Sequence, residues 1–166
     1  MMGKFSFHNL SVEEAGIYLP KMFDILYYNM TAMAPSDAGY ENDQRTWMDY
    51  IVPALSQRTV QVLLMFAGEE LAGYFQYSHR ENTLMVDEVE IRRDYQRSML
   101  FYRLGQYLLT DLPENIRYVE SYVNKRNGNS LSIHKKLGME IIGENRSGSS
   151  WHFRGDVAAV AKRFAR

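Results

Sequence analysis

The chain has 166 residues, 46% hydrophobic and 23% charged, with a formal net charge of −1. That is the composition of a globular domain long enough to bury a core, which excludes disorder; the near-neutral balance leaves no electrostatic footprint for nucleic acid or for a membrane surface. Cysteine is absent, so disulfides, thiol nucleophiles and Cys-type zinc sites are excluded. Because Met1 to Ser6 holds no apolar h-region, and no run nears the roughly 20 apolar residues of a membrane span, the expected setting is cytoplasmic.

Phe5 to His8 reads as a short first strand. Ser11 is the expected N-cap of a helix, with Glu14 placed three residues on to complete a capping box. The helical pattern runs through Ile17, Met22, Ile25 and Leu26, and Pro20 marks a kink or break in it. Met33 to Asn42 carries Pro35, Ser36, Asp37 and Gly39 and reads as a loop. A second helix is expected over Asp43 to Ser56, with Pro53 disturbing its end. Val60 to Ala67, Leu71 to His79 and Leu84 to Ile91 are three apolar runs separated by Gly68-Glu69-Glu70 and Arg80-Glu81-Asn82, which predicts an antiparallel meander. A helix follows from Ser98 or Met99 to Thr110, with Leu100, Leu104 and Leu108 on one stripe. Then come a strand at Tyr118 to Val123, a helix at Asn127 to Leu137 closed by Gly138 as its C′ glycine, strands at Met139 to Gly143 and Trp151 to Arg154, and a helix-compatible tail from Asp156. This order predicts a mixed α/β sheet, mostly antiparallel, with helices on both faces. No linker or repeat interrupts it, so residues 1–166 read as a single domain. Twelve tyrosines and ten methionines suit either an adaptable core or a groove lined with such groups.

Two segments carry chemistry. Val86-Asp87-Glu88-Val89-Glu90-Ile91, followed by Arg92 to Phe101, is a strand, a loop and a helix start. A helix N-terminus offers unpaired N–H groups and the positive end of the dipole, a ready seat for a pyrophosphate. Asn127 to Asn145 is an Asn-led helix ending on Leu137-Gly138-Met139 and a strand with Ile141-Ile142-Gly143.

In Asn127, Lys136, Leu137, Gly138 and Ile141-Ile142-Gly143, and in its order of elements, the chain resembles the GNAT superfamily of N-acetyltransferases. The resemblance implies the acyl-CoA N-acyltransferase fold, with acetyl-CoA as co-substrate and no metal. It implies that the fourth and fifth strands splay around the pantetheine arm. Val89 and Ile91 would then offer backbone hydrogen bonds, the loop Gln96, Arg97, Ser98, Met99, Leu100, Phe101 would wrap the pyrophosphate, and Asn127 would bond the arm. The reaction implied is direct attack of an amine on the thioester, with a base taking the amine proton and an acid protonating the thiolate. The acceptor would be a small-molecule or peptide amine, and homodimers are common in that fold, here around Trp151.

Two departures stand out. The family loop reads Gln or Arg, two residues, Gly, one residue, then Gly or Ala. Here Gln96 keeps its place, but Met99 and Phe101 stand at the small positions. Glycine permits close approach and positive φ; Arg97 either compensates at a phosphate or is a solvated loop arginine. An alternative function follows, a GNAT-fold binding or interaction module without catalysis. His134 stands where the family often has a tyrosine acid; it is either that acid or a partly buried helix histidine. For the base, strand alternation puts Glu88 and Glu90 on one face and Asp87 on the other. Glu88 is preferred, Asp87 next, unless the acids pair with nearby basic residues. Lys125-Arg126 and Lys135-Lys136 either meet the 3′-phosphate of CoA or form a solvated face. Tyr27, Tyr28, Tyr40, Trp47 and Tyr74 either line an acceptor pocket or fill the core.

Overall fold

The computed structural model describes residues 4–165. The reading of the first three residues lies outside them. Among the described residues the strands and α-helices follow the expected order, beginning with β1 (Phe5–Asn9), α1 (Ala15–Met33), α2 (Tyr40–Ser56), β2 (Gln61–Ala67), β3 (Glu70–Arg80), β4 (Thr83–Ile91) and α3 (Leu100–Thr110). They continue with β5 (Tyr118–Asn124), α4 (Gly128–Lys136), β6 (Glu140–Glu144), β7 (Ser150–Asp156) and α5 (Val157–Phe164). The seven strands order as β1-β2-β3-β4-β5-β7-β6. β1 runs antiparallel to β2, and β7 runs antiparallel to both β5 and β6. β4 and β5 are parallel, and α3 lies in the crossover that a parallel pair requires. Their register runs from Thr83↔Tyr118 to Val86↔Ser121, while β4 itself continues to Ile91. No helix among the described residues is long and apolar enough to cross a membrane.

The chain divides into two compact units, residues 1–76 with 88–100, and residues 77–87 with 101–166. Strands β3 and β4 contribute residues to both, so no linker sequence marks the division. In the first unit, Leu19, Met22, Phe23 and Leu26 recur at helical spacing on α1 and are all buried. They share a core with Ile51 of α2, Leu64 of β2 and Tyr74 of β3. Of the kink or break expected at Pro20, the break does not occur, and α1 runs on from Ala15 to Met33. Pro20 lies near the start, and the carbonyl it leaves without a donor belongs to Gly16, which is exposed to water. Likewise α2 begins at Tyr40, three residues before the expected start, because Gly39 supplies the turn at φ 86°.

In the second unit Gly138 has φ 78°, and the N–H groups of Gly138 and Met139 close on the carbonyls of Lys135 and His134 at 3.0 Å each. This is the predicted glycine stop. Two glycines there permit close packing. A Cβ on Gly105 of α3 would lie 2.3 Å from the Phe164 ring of α5, and one on Gly155 of β7 would lie 2.8 Å from Val160.

Candidate active site

The carboxylates of β4 fall as strand alternation requires. Glu88 and Glu90 are half-buried on one face, and Asp87 is exposed. Gly73 of β3 lets the two strands close at this point, since a Cβ there would meet the Glu90 carbonyl at 2.4 Å. The Tyr74 hydroxyl, next along β3, donates to Glu88 Oε2 at 2.7 Å. Burial first, then the Glu88 charge and hydrogen bond, push the Tyr74 phenol well up, so its proton stays in that bond. Two residues further, Gln76 Nε2 donates to the Tyr50 hydroxyl of α2 at 3.2 Å, while its buried Oε1 has no partner among the described residues.

Glu90 is held differently. Asn29 of α1 donates its Nδ2 to Glu90 Oε2 at 2.8 Å and to the Ile91 carbonyl at 3.0 Å. Gln96 Nε2 in turn donates to Asn29 Oδ1 at 3.3 Å and to the same Ile91 carbonyl at 3.0 Å. Burial pushes the Glu90 carboxyl up; the Asn29 bond pulls it back in part, and the Glu88 charge adds to the rise, leaving it at about 7. A carboxyl at that value exchanges protons near neutral pH. The sequence favours Glu88, then Asp87, and misses both Asn29 and the titration of Glu90. A long-range contact from a helix 61 residues away leaves no local pattern.

An open cavity of about 540 Å³ borders this network and shares Asn29 with it. Lys21, Asp24, Tyr28, Glu70, Arg92 and Arg93 are among its walls. Arg92 is committed there to Asp94 at 2.6 Å and lies 3.7 Å from Glu70. Of the aromatic candidates, Tyr74 is fully buried, Tyr28 is 65% exposed at the cavity, and Tyr27, Tyr40 and Trp47 cluster about Phe23. The Tyr40 hydroxyl donates to Asp24, and this bond, with some burial, lifts its pKa to about 12.

Beyond β4, Gln96 to Met99 form turns and α3 starts at Leu100. The Ser98 hydroxyl accepts from the Leu100 N–H at 3.1 Å and donates to the Tyr95 carbonyl at 2.6 Å. The Ser98 N–H also turns back to Tyr95. The N–H groups of Arg97 and Met99 have no partner among the described residues. Met99 is not at positive φ, so the path of this loop does not need the conformational freedom of glycine. Its side chain is 45% exposed, Leu100 is fully buried, and Arg97 is exposed. Phe101 turns its ring to Phe164, with centroids 5.6 Å apart. Val89 is half-buried, whereas the Ile91 carbonyl is already taken by the two amides.

In the second unit, Asn127 is the N-cap of α4 and accepts the Ser130 N–H at 3.1 Å. Its Oδ1 therefore serves the helix, and its Nδ2 remains a donor. His134 has Nδ1 2.7 Å from the Ser130 carbonyl and Nε2 2.7 Å from the Ser121 hydroxyl. A carbonyl only accepts, so Nδ1 carries the proton and Nε2 accepts from Ser121. Burial lowers the imidazole pKa, only partly offset by the Ser130 bond, and the ring is neutral. Lys125 reaches Glu144 at 2.8 Å and sits over the Trp151 ring; Arg126, Lys135 and Lys136 are exposed.

Among the described residues no three His, Asp or Glu side chains gather as a metal site. No family model and no curated protein matches the sequence. Solved structures do match. PaiA N-acetyltransferase from Thermoplasma acidophilum, in complex with coenzyme A, is 14% identical, with 92% of this chain and 99% of that one covered and a TM-score of 0.67. An acetyltransferase from Thermus thermophilus is 14% identical, with 93% and 98% covered and a TM-score of 0.72. FdhC, described as a nucleotide-linked sugar GNAT, is 12% identical, with 96% and 90% covered and a TM-score of 0.65. At such identities the likeness is one of architecture, and it spans nearly the whole of each chain: this protein has the GNAT acetyltransferase fold.

Proposed function

We propose that the protein is an acyl-CoA-dependent N-acetyltransferase, moving an acetyl group from acetyl-CoA to a small-molecule or peptide amine in the cytoplasm. The observation that carries this reading is Glu90, a half-buried carboxyl at about 7. An amine must lose its proton before it can attack a thioester, and a base works best when its pKa lies near the operating pH. Glu90 takes that proton, directly or through one water. The amine lone pair then attacks the thioester carbonyl carbon, the C–N bond forms, the C–S bond breaks, and the proton that the nitrogen sheds passes to the departing sulfur, directly or through water, so that a free thiol leaves. Burial is the main cause of the high proton affinity of Glu90, and the Glu88 charge adds to it. Asp87, on the opposite face, has no part in this reading. The acceptor enters by the cavity that borders Asn29.

The unpartnered N–H groups of Arg97 and Met99 would receive the pyrophosphate, as backbone donors at a helix start do. Asn127 Nδ2 would serve the pantetheine arm. We assign His134 to joining α4 and β5 rather than to protonating the thiolate, because a neutral ring donating at Nδ1 has no proton to give at Nε2.

Calorimetry with acetyl-CoA tests the first half of the reading, and thiol release with a panel of amines tests the second. Binding is expected below about 1 mM, on the order of −4 kcal/mol. Glu90→Gln is expected to lower kcat by about 100-fold or more, and Glu88→Gln by less. No binding at that concentration would leave a GNAT-fold binding module for another ligand. Full turnover in Glu90→Gln would remove the base assignment.

A further inference from the structure

Every N–H of two side-chain amides is committed around one carboxylate. Asn29 Nδ2 spends its two hydrogens on Glu90 Oε2 and the Ile91 carbonyl, and Gln96 Nε2 spends its two on Asn29 Oδ1 and that same carbonyl. The acceptors on one side fix which way the Asn29 amide faces, because its oxygen would meet only other acceptors if it flipped. Gln96 closes the arrangement from the other side by giving Asn29 Oδ1 its donor. The chain Gln96 → Asn29 → Glu90 thus joins the turn that precedes α3 to the carboxylate of β4. Gln96 is exposed, so it is the member that a molecule bound at the turn would touch.

We propose that Asn29 is a positioning residue for Glu90, and that through Gln96 it makes the carboxylate respond to a phosphate-bearing ligand at the Gln96–Met99 turn. The inference rests on the reading above for the identity of that ligand, coenzyme A, but the link from Asn29 to Glu90 stands without it. Its logic is that of coupled hydrogen bonds. A ligand that draws the Gln96 amide toward itself loosens Asn29 Oδ1, and the freed Asn29 amide gives Glu90 a weaker or differently placed donor. The order of events would then follow: the carboxylate gains proton affinity once the co-substrate is seated, and so is readied for the incoming ammonium. The other titratable groups facing Glu90 are Glu88 on its own strand and Tyr74 on β3, itself bonded to Glu88. From α1 the contact is the neutral Asn29.

The test is the carboxyl 13C titration of Glu90, identified by its loss in Glu90→Gln. It is run on the wild type, Asn29→Ala and Gln96→Ala, each with and without coenzyme A. Without ligand, Asn29→Ala should raise the midpoint by about one pH unit, the scale of one lost charge-assisted hydrogen bond. Gln96→Ala should raise it by less. Coenzyme A should shift the midpoint upward in the wild type and leave it unmoved in Gln96→Ala. Folding of each variant is checked by its amide spectrum; should Asn29→Ala fail to fold, the exposed Gln96→Ala decides. Unchanged midpoints in the folded variants would overturn the proposal. A shift in the ligand-free variants, with no calorimetric binding of coenzyme A to the wild type, would keep the Asn29 role and sink the acetyltransferase reading instead. A ligand-induced shift that survives in Gln96→Ala would overturn the relay.

Discussion

Glu90 and Glu120 are two sheet carboxylates withdrawn from water, one in each compact unit, and their pKa values move in opposite directions from the ordinary one. Burial raises both. Around Glu90 the side-chain hydrogen-bond donor is a neutral amide and the nearest charge is negative, so its pKa stays up at about 7. Around Glu120 burial is outweighed by bonds from Arg154 at 3.1 Å and His152 at 2.6 Å, and the carboxyl falls below its ordinary value. Glu120 is the more withdrawn of the two, only 7% exposed. Burial drives the rise at Glu90, where one amide bond offsets it only in part, and is outweighed at Glu120 by two bonds from basic side chains. A carboxylate answered by cations is a structural anion, and one answered by an amide and another acid is a base waiting for a proton.

Removing each charge should move stability in opposite directions. The largest effect is expected at Glu90. Its folded pKa, about 7 against an ordinary 4.5, means that the native state binds the proton more tightly than the unfolded chain. The contribution of Glu90 to stability is then full below pH 4.5 and declines as pH rises toward 7. At about 1.36 kcal/mol per unit the decline totals about 3 kcal/mol. Glu90→Gln should abolish it, making the variant more stable than the wild type at pH 8 by up to that amount while it loses turnover. Urea unfolding at pH 4.5 and pH 8 measures the difference. Equal pH dependence in the two proteins would mean that Glu90 ionises like a surface acid.

Glu120→Gln should do the reverse, losing about 2 kcal/mol at pH 7. That is below the range for a fully buried pair because Arg154 is 42% exposed on its side chain. With a lowered pKa, the contribution of Glu120 is present above the ordinary carboxylate range and disappears as pH falls through its folded value. The gap between variant and wild type should shrink as the solution is acidified below pH 4. A gap that persists unchanged to pH 3 would assign the loss to packing rather than charge.

The contrast also marks what the sequence could disclose. Period-2 alternation places Glu88 and Glu90 together and Asp87 opposite. Turn chemistry places Gly138, and apolar spacing places the buried face of α1. Those features depend on neighbours within a few residues. The setting of Glu90 is made by burial and by Asn29, which reaches β4 from α1, and the neutral ring of His134 is made by burial, with Ser121, from a strand 13 residues back, bonded at Nε2. Neither bond follows from local spacing. Of the two outcomes expected at Pro20, the break does not occur, for Pro20 sits in the second turn of α1 and Gly16, whose carbonyl loses its donor, is exposed. Met99 shows the converse. The departure from the family pattern is visible in the sequence, but its mildness requires the backbone, which is not at positive φ there.

His134 offers the finest division between the two regions, since it too is a withdrawn titratable group, answered by neutral partners, but neutral in its resting form. With a pKa lowered mainly by burial, it binds protons less well folded than unfolded, so it subtracts stability as pH falls below its ordinary 6.5. Ser121→Ala deletes the hydroxyl that donates to Nε2 and leaves a part-buried acceptor unpaired, a loss of about 1 kcal/mol at pH 8. The freed Nε2 can then take a proton more easily, and the acid-side loss of stability should be smaller in the variant than in the wild type. Urea midpoints at pH 8 and pH 5.5 read both effects, and turnover of the same protein separates structure from chemistry. Turnover within about twofold of wild type fits a ring that only joins α4 to β5. A fall of about 100-fold in a folded Ser121→Ala protein would instead place the Ser121–His134 pair on the path of the thiolate proton, and Glu90 would then not be the only titrating group that the chemistry needs.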